Sequence, residues 1–282
     1  MKMLLILLLS CFSVFAGPGS TGVKLMTAAG SSGVPYLFDV VSVAPRCAFS
    51  VRLLSSTYSG QCVRLRRVSD DAESDFGFVD GLLDTASITT WLGGSAGYVR
   101  YWYDQSGNGN DAYQVTTTSQ PVYVANGFGS INAPAFRSTS TNDGLYAPNA
   151  SPRTFSACVE AAASNEENAC SHRYWDAVCL ITASTWGSAP SDGERGSHVM
   201  YTNGVQTAVA STGRQDAVIG TLVGGTGVPL QEIYILGRAN QTSRYYTKPM
   251  AEGVVWLSLL GAGDLAACQA NQMDYFGLPH TP

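Results

Sequence analysis

The sequence predicts an all-β protein, an antiparallel jelly-roll β-sandwich carrying a few short helices. Three observations lead there. Runs of β-branched and aromatic residues recur at intervals of roughly 8–15 residues, divided by Gly, Asn, Asp and Pro. Helical caps and spacing mark only three short stretches. The 282 residues are 45% hydrophobic, hold 30 Gly and are only 13% charged, which suits a sizeable core and excludes disorder.

The elements follow in order. Residues 17–33 form a Gly/Ser-rich arm, and from residue 34 to 282 no composition break or repeat divides the chain, so one domain is expected. Ala48, Val51 and Leu54 at helical spacing predict a helix over 47–55, ended by Tyr58-Ser59-Gly60. Cys62, Arg64, Arg66 and Val68 then alternate with Val63, Leu65 and Arg67, a strand pattern. Asp84 or Thr85 caps a second helix that stops at Gly93-Gly94.

Tyr98–Tyr103 is a strand that runs into a turn, Asp104 to Asn110. Further strands are predicted at 121–125, 133–138, 154–162, 177–183, 198–209, 216–223, 231–237 and 249–259. Tyr201–Gln206 is a hairpin, because Asn203-Gly204 supplies the two positive φ angles of a type I′ turn. Asp264 caps the last helix, which Gly277 closes.

The first residues read as a secretory leader. Lys2 precedes the apolar run Leu4–Leu9, and Val14-Phe15-Ala16 offers a small-residue cleavage site, so residues 1–16 are read as a signal peptide. The run is too short to span a bilayer, and nothing later is apolar enough to do so. The expected location is extracellular, or a cell or virion surface. Cleavage leaves Cys47, Cys62, Cys158, Cys170, Cys179 and Cys268, an even set that implies disulfides. Cys47–Cys62 is the preferred local bridge, with another inside Cys158, Cys170 and Cys179. Asn240-Gln241-Thr242 is an N-glycosylation sequon.

Charge and motifs narrow the function. The 16 Lys+Arg against 21 Asp+Glu give a net charge of −5 without a basic block, which argues against nucleic acid. The densest basic stretch is Arg64, Arg66 and Arg67. Asp104, Ser106, Asn108 and Asn110 have the oxygen spacing that opens a calcium loop, but Val115 stands where the bidentate Glu belongs. An Asx-rich turn accounts for them better, and no metal or other cofactor is expected. Gly93-x-Ser95-x-Gly97 spells a nucleophile elbow in the wrong context, between a helix and a strand. Aromatic rings that could stack on sugar are Trp102, Tyr101, Tyr103, Trp175, Trp186 and Tyr201. The candidate glycan contacts are Trp186, Tyr201, Asn203, Trp102 and Asp104.

AFSVRLLSSTYSGQCVRLRRVSDD, FVDGLLDTASITTWLGG and GYVRYWYDQSGNGNDAYQ occur in that order. Together they resemble the catalytic domain of the α-L-arabinofuranosidase B family over roughly residues 46–125. The run from Ala251-Glu252-Gly253-Val254 to Gly277 is similar to that family too, and to the wider concanavalin A-type lectin and glucanase superfold. The resemblance implies a carbohydrate-related jelly roll.

It also implies where catalytic acids belong. The strand comparable to that of the family's nucleophile, Gly196-Ser197-His198-Val199-Met200-Tyr201, has no carboxylate. In Gly237-Arg238-Ala239-Asn240, Ala239 stands at the acid/base position, and the family's Cys-Cys pair is absent. Glu252 matches a family Glu outside the catalytic pair. Asp192, Glu194 and Asp216 are the fallback acids.

Three function classes follow. The leading one is a secreted protein that binds carbohydrate or an extracellular glycoconjugate without hydrolysing it. The second is an active α-L-arabinofuranosidase-type retaining glycosidase. The third is a self-assembling structural subunit of an extracellular assembly or virion surface.

Overall fold

The computed structural model describes residues 33–129, 131–140, 143–148, 154–160, 168–172, 179–181, 186–187, 199–207, 217–223, 233–236 and 247–280. The expected signal peptide, Asp192, Glu194, Asp216, Asn240, Trp175 and the Gly237–Asn240 segment lie outside those residues.

The described chain begins with a single helical turn, α1 (Leu37–Val40), followed by β1 (Cys47–Ser50). β1 replaces the helix expected over 47–55. All four of its residues are buried, and it pairs antiparallel with the Met250–Trp256 strand. A strand covered on both faces shows no alternation, so its apolar spacing imitated a helix. Ala48 packs with Leu54, Val254 and Trp256, while Phe49 and Val51 point to the other side.

β2 (Val63–Arg67) and β3 (Glu73–Phe76) come next, then a small hairpin of β4 (Phe78–Val79) and β5 (Leu82–Leu83). Its turn residues Asp80 and Gly81 have φ of 50° and 77°, the left-handed pair a tight hairpin needs. α2 (Thr85–Leu92) has the expected caps: the Asp84 carboxylate accepts from the Ser87 N–H at 3.0 Å, and Gly93 ends it at φ 57°.

Then follow β6 (Gly97–Trp102), β7 (Ala112–Tyr113), β8 (Val122–Phe128), β9 (Ala133–Arg137) and β10 (Leu145–Ala147). β11 (Thr154–Glu160), β12 (Asn168–His172), β13 (Cys179–Ile181) and β14 (Trp186–Gly187) succeed them. β15 (Val199–Thr202) and β16 (Val205–Thr207) form the predicted hairpin, with Asn203 at φ 48° and Gly204 at φ 80°. β17 (Ala217–Val223), β18 (Ile233–Ile235) and β19 (Met250–Trp256) precede α3 (Ala262–Phe276).

The pairings form an antiparallel jelly-roll sandwich. One layer runs β1–β19–β11–β17–β15–β16. The other runs β3–β2–β6–β7–β10–β18–β12–β13–β14. The β8–β9 hairpin joins them, bonding β6 at Tyr98↔Val122 and β19 at Phe136↔Met250. Phe49, Phe155, Ala157 and Val255 of the first layer meet Val63, Leu65, Val99, Trp102, Leu145 and Ile235 of the second in one core.

α3 and α1 cover the outer face of the first layer, where Leu37, Leu265 and Cys268 pack on Ala48, Val254 and Trp256. β19 is accordingly buried at all seven positions. Asp264 does not cap α3, whose N-cap position is Gly261; its carboxylate accepts from the Ser42 N–H and Oγ, both at 2.8 Å. Gly277 ends the helix at φ 65°, as expected.

The preferred Cys47–Cys62 bridge is not formed. Cys47, Cys62, Cys158 and Cys268 are free, buried thiols, and the Cys62 thiol donates to the Ser50 carbonyl at 3.2 Å. Cys170 stands opposite Cys179 in the β12–β13 register. Among the described residues, no helix is long and apolar enough to cross a membrane.

Candidate functional site

Trp102, expected at a sugar, is instead fully buried, with its ring 5.9 Å from Phe49 and 4.7 Å from Phe136. Asp104 is buried too, because the 104–110 turn folds back onto β1. Its Oδ1 accepts from the Ala48 and Ser106 N–H groups, both at 2.8 Å, and its Oδ2 from Ser106 Oγ at 2.7 Å and the Asn110 N–H at 3.0 Å. A carboxylate saturated by protein donors has no lone pair facing a cation. The amides of Asn108 and Asn110 donate to the carbonyls of Pro45 and Arg46. The segment is the Asx-rich turn, not a calcium loop, and no group of three His, Cys, Asp or Glu among the described residues is arranged to hold a metal.

Gln105 extends the clamp: its Oε1 accepts from the Leu54 N–H at 2.9 Å, and its Nε2 donates to the Ser50 and Arg52 carbonyls at 3.0 Å. Asn203 is buried in its hairpin, and Tyr201 packs beside Val254 and Trp256. Trp186 pairs with Ile181 in the β13–β14 ladder.

Glu252 lies beneath α3 with 0% exposure, against 2% for Arg52. Arg52 grips it in a two-pronged ion pair, Nε to Oε2 at 2.7 Å and Nη2 to Oε1 at 3.1 Å. Ser50 Oγ donates to Oε2 at 2.7 Å and Gln272 Nε2 to Oε1 at 2.9 Å. The guanidinium also donates to Asn271 Oδ1 at 2.9 Å and lies 4.2 Å from the Tyr275 ring centroid. Burial works to lower the Arg52 pKa, but the charge and hydrogen bond of Glu252 prevail and raise it. Each carboxylate oxygen of Glu252 thus accepts two hydrogen bonds within this network.

The opposite outer face is different. In β10, Leu145 and Ala147 point to the core and leave Tyr146 outside; in β18, Ile233 and Ile235 do the same for Tyr234. A register shift opposite Arg64/Leu65 lets Arg100 and Tyr101 both lie outward between buried Val99 and Trp102. The strand registers then align Asp75, Arg64, Tyr101, Tyr113, Tyr146, Tyr234 and Ser171 in one row across the sheet.

The tyrosines are half-buried neighbours. Ring centroids are 6.0 Å apart for Tyr101–Tyr113, 5.2 Å for Tyr113–Tyr146 and 5.3 Å for Tyr146–Tyr234. Tyr103 stacks on Tyr101 at 6.0 Å and 9°. Arg64 grips Asp75 through Nε at 2.8 Å and Nη2 at 2.6 Å, and the Tyr103 hydroxyl donates to the same carboxylate at 2.6 Å. The hydrogen bond from Arg64, against an opposing effect of burial and with help from Tyr103, holds the Asp75 pKa below the ordinary carboxylate value. Burial and the Asp75 hydrogen bond raise the Tyr103 phenol, so it remains a donor.

Tyr101 and Tyr103 were visible as sequence candidates; Tyr113, Tyr146 and Tyr234 were not. For Tyr146 and Tyr234 the signal is an isolated Tyr between buried apolar residues on strands far apart in sequence, whereas Tyr113, between Ala112 and Gln114, carries none.

Two solved structures give a context for this architecture. One is a GH54 α-L-arabinofuranosidase soaked with a cyclic sulfate inhibitor, 16% identical with TM-score 0.55; the match covers 83% of this chain and 63% of that one. The other is an arabinofuranosidase complexed with arabinofuranosyl-α-1,2-xylobiose, 14% identical with TM-score 0.55 and the same coverage. This chain therefore spans 63% of the length of those proteins. No protein-family model and no curated protein matches the sequence. At such identities the likeness speaks for the fold alone, and that fold is an arabinofuranosidase-like β-sandwich.

Proposed function

We propose that this protein is a secreted, carbohydrate-binding jelly roll of the concanavalin A-like kind, which holds glycan on its open tyrosine face without hydrolysing it. The cross-strand row Tyr101–Tyr113–Tyr146–Tyr234 carries the reading. Aromatic rings take the C–H faces of sugars while phenolic hydroxyls meet the sugar hydroxyls, and tyrosine supplies both in one rigid side chain. The fold likeness to arabinofuranosidases agrees with a sugar ligand.

Hydrolysis with retention needs two carboxyl groups about 5–5.5 Å apart, both open to substrate. Glu252 and Asp104 are consumed by internal hydrogen bonds. Asp143 is consumed likewise by Thr139 and Ser140. The competing reading, an active α-L-arabinofuranosidase-type enzyme, is favoured by the same fold likeness and would use Asp192, Glu194 or Asp216.

Glycan-array binding that saturates, with no 4-nitrophenol released from an aryl arabinofuranoside, is the expected result. Release that one Asp→Ala or Glu→Ala change at those three positions abolishes would establish the enzyme instead. Secretion makes its own prediction: the exported protein starts at Gly17, and non-reducing peptide mapping links Cys170 to Cys179. The register that sets these residues opposite each other is compatible with a cross-strand bridge.

A further inference from the structure

We infer that the tyrosine face takes an extended, neutral oligosaccharide laid across the strands, about one sugar unit per strand, in preference to a single terminal sugar. This rests on the glycan-binding reading above and adds the shape and charge of the ligand.

Shape comes from the register. Tyr101, Tyr113, Tyr146 and Tyr234 sit at paired positions on four neighbouring strands, β6, β7, β10 and β18, so they form a line and not a ring around one point. Neighbouring strands lie about 4.8 Å apart, which places the outer positions roughly 14 Å from each other. An equatorially 1,4-linked pyranose chain advances about 5 Å per unit, close to that strand spacing. Such a chain keeps step with the row for three to four units. Its successive units also turn over, and the rings change direction along the row. Tyr113 is tilted 32° to Tyr101, whereas Tyr146 stands at 72° to Tyr113 and at 78° to Tyr234.

Charge comes from the guanidiniums on the same face. Arg64 and Arg100 both lie against the Tyr101 ring, at 5.6 and 5.5 Å from its centroid. Each already has an acid: Arg64 is paired with Asp75 at 2.6 Å and Arg100 with Glu73 at 3.5 Å. A uronate or sulfated chain would have to displace those acids, whereas a neutral chain would not.

Calorimetric titration of the full chain with β-1,4-linked gluco-, manno- and N-acetylglucosamine oligomers of two to six units tests this, with oligogalacturonates of equal length as the charged series. Affinity is expected to rise about tenfold or more from dimer to tetramer, to level off beyond, and to be weaker throughout for the galacturonates. Tyr146→Ala in mid-row should cut tetramer affinity about tenfold, with dimer affinity less affected. Tyr146→Phe, which keeps the ring, separates lost stacking from a lost hydroxyl, and a circular-dichroism melt confirms that each variant folds. Affinity independent of length, equal affinity for the charged series, or folded Tyr146→Ala and Tyr234→Ala variants with unchanged tetramer binding would each overturn this inference. The glycan-binding reading would survive all three, and fails only if no sugar on the array binds.

Discussion

The two outer faces of the sandwich are both built from antiparallel strands and have opposite fates. On one, α3 lies over β1, β19 and β11, and polar groups beneath it are removed from water. Ser50, Glu252, Arg52 and Gln272 are fully or almost fully buried, and each is tied to another in the network. On the other, no helix among the described residues covers β6, β7, β10 and β18, and the outward Tyr101, Tyr113, Tyr146 and Tyr234 keep partial exposure. A buried charge is tolerated only when it is paired and hydrogen-bonded. An amphipathic ring left half in water still has a face and a hydroxyl to offer. The covered face therefore secures the fold, and the open face has the capacity to bind.

The largest effect should come from breaking the covered face. Glu252→Ala strands the Arg52 guanidinium in the interior, and losing one partner of a buried pair costs about 3–5 kcal/mol. A chemical-denaturation midpoint should fall accordingly. Arg52→Met combined with Glu252→Met should recover much of the loss, because an apolar pair of similar size needs no counter-charge. Neither change should alter oligosaccharide affinity in protein that remains folded. A tenfold loss of affinity on Glu252→Gln, with stability intact, would mean that the two faces are not independent.

Next in size is the Asp104 turn at the end of β6. Asp104→Ala leaves the N–H groups of Ala48, Ser106 and Asn110 without their acceptor. Unmet buried donors cost about 1–3 kcal/mol each, offset where water reaches them, so roughly 2–4 kcal/mol is expected in total. Calcium or a chelator should leave the melting temperature of the unaltered protein in place. A rise of several degrees with calcium would restore the cation reading of Asp104, Ser106, Asn108 and Asn110.

These two sites also show what the sequence could reveal. Strands that are open on one face alternate, so β2 and β6 were legible, and Asn203-Gly204 announced its hairpin. β1 was read as a helix because both its faces are covered and the alternation is gone. The resemblance to arabinofuranosidases matches Glu252 to a family Glu outside the catalytic pair, but its partner Arg52, 200 residues away, is invisible in the sequence. The tyrosine row was hidden for the same reason. Residues 101, 113, 146 and 234 become neighbours only through strand register, which no local pattern encodes.

The smallest effect concerns pH, and it separates the faces most directly. Asp75 has a folded pKa below its unfolded value, chiefly because Arg64 hydrogen-bonds its charged form. Such a group adds stability above the unfolded carboxylate pKa of about 4 and loses it as pH falls through the folded value. Arg64 and Asp75 are 36% and 33% exposed, so solvent screening limits the pair to about 1 kcal/mol or less. Arg52 runs the other way: its raised pKa keeps its contribution constant through the acid and neutral range, and only strong alkali would remove it. Melting temperatures from pH 6 down to pH 2 should therefore converge for the unaltered protein and Asp75→Asn, the gap closing as Asp75 takes up its proton. Equal, parallel melting curves across the whole range would show that the Arg64–Asp75 pair does not hold this end of the open face.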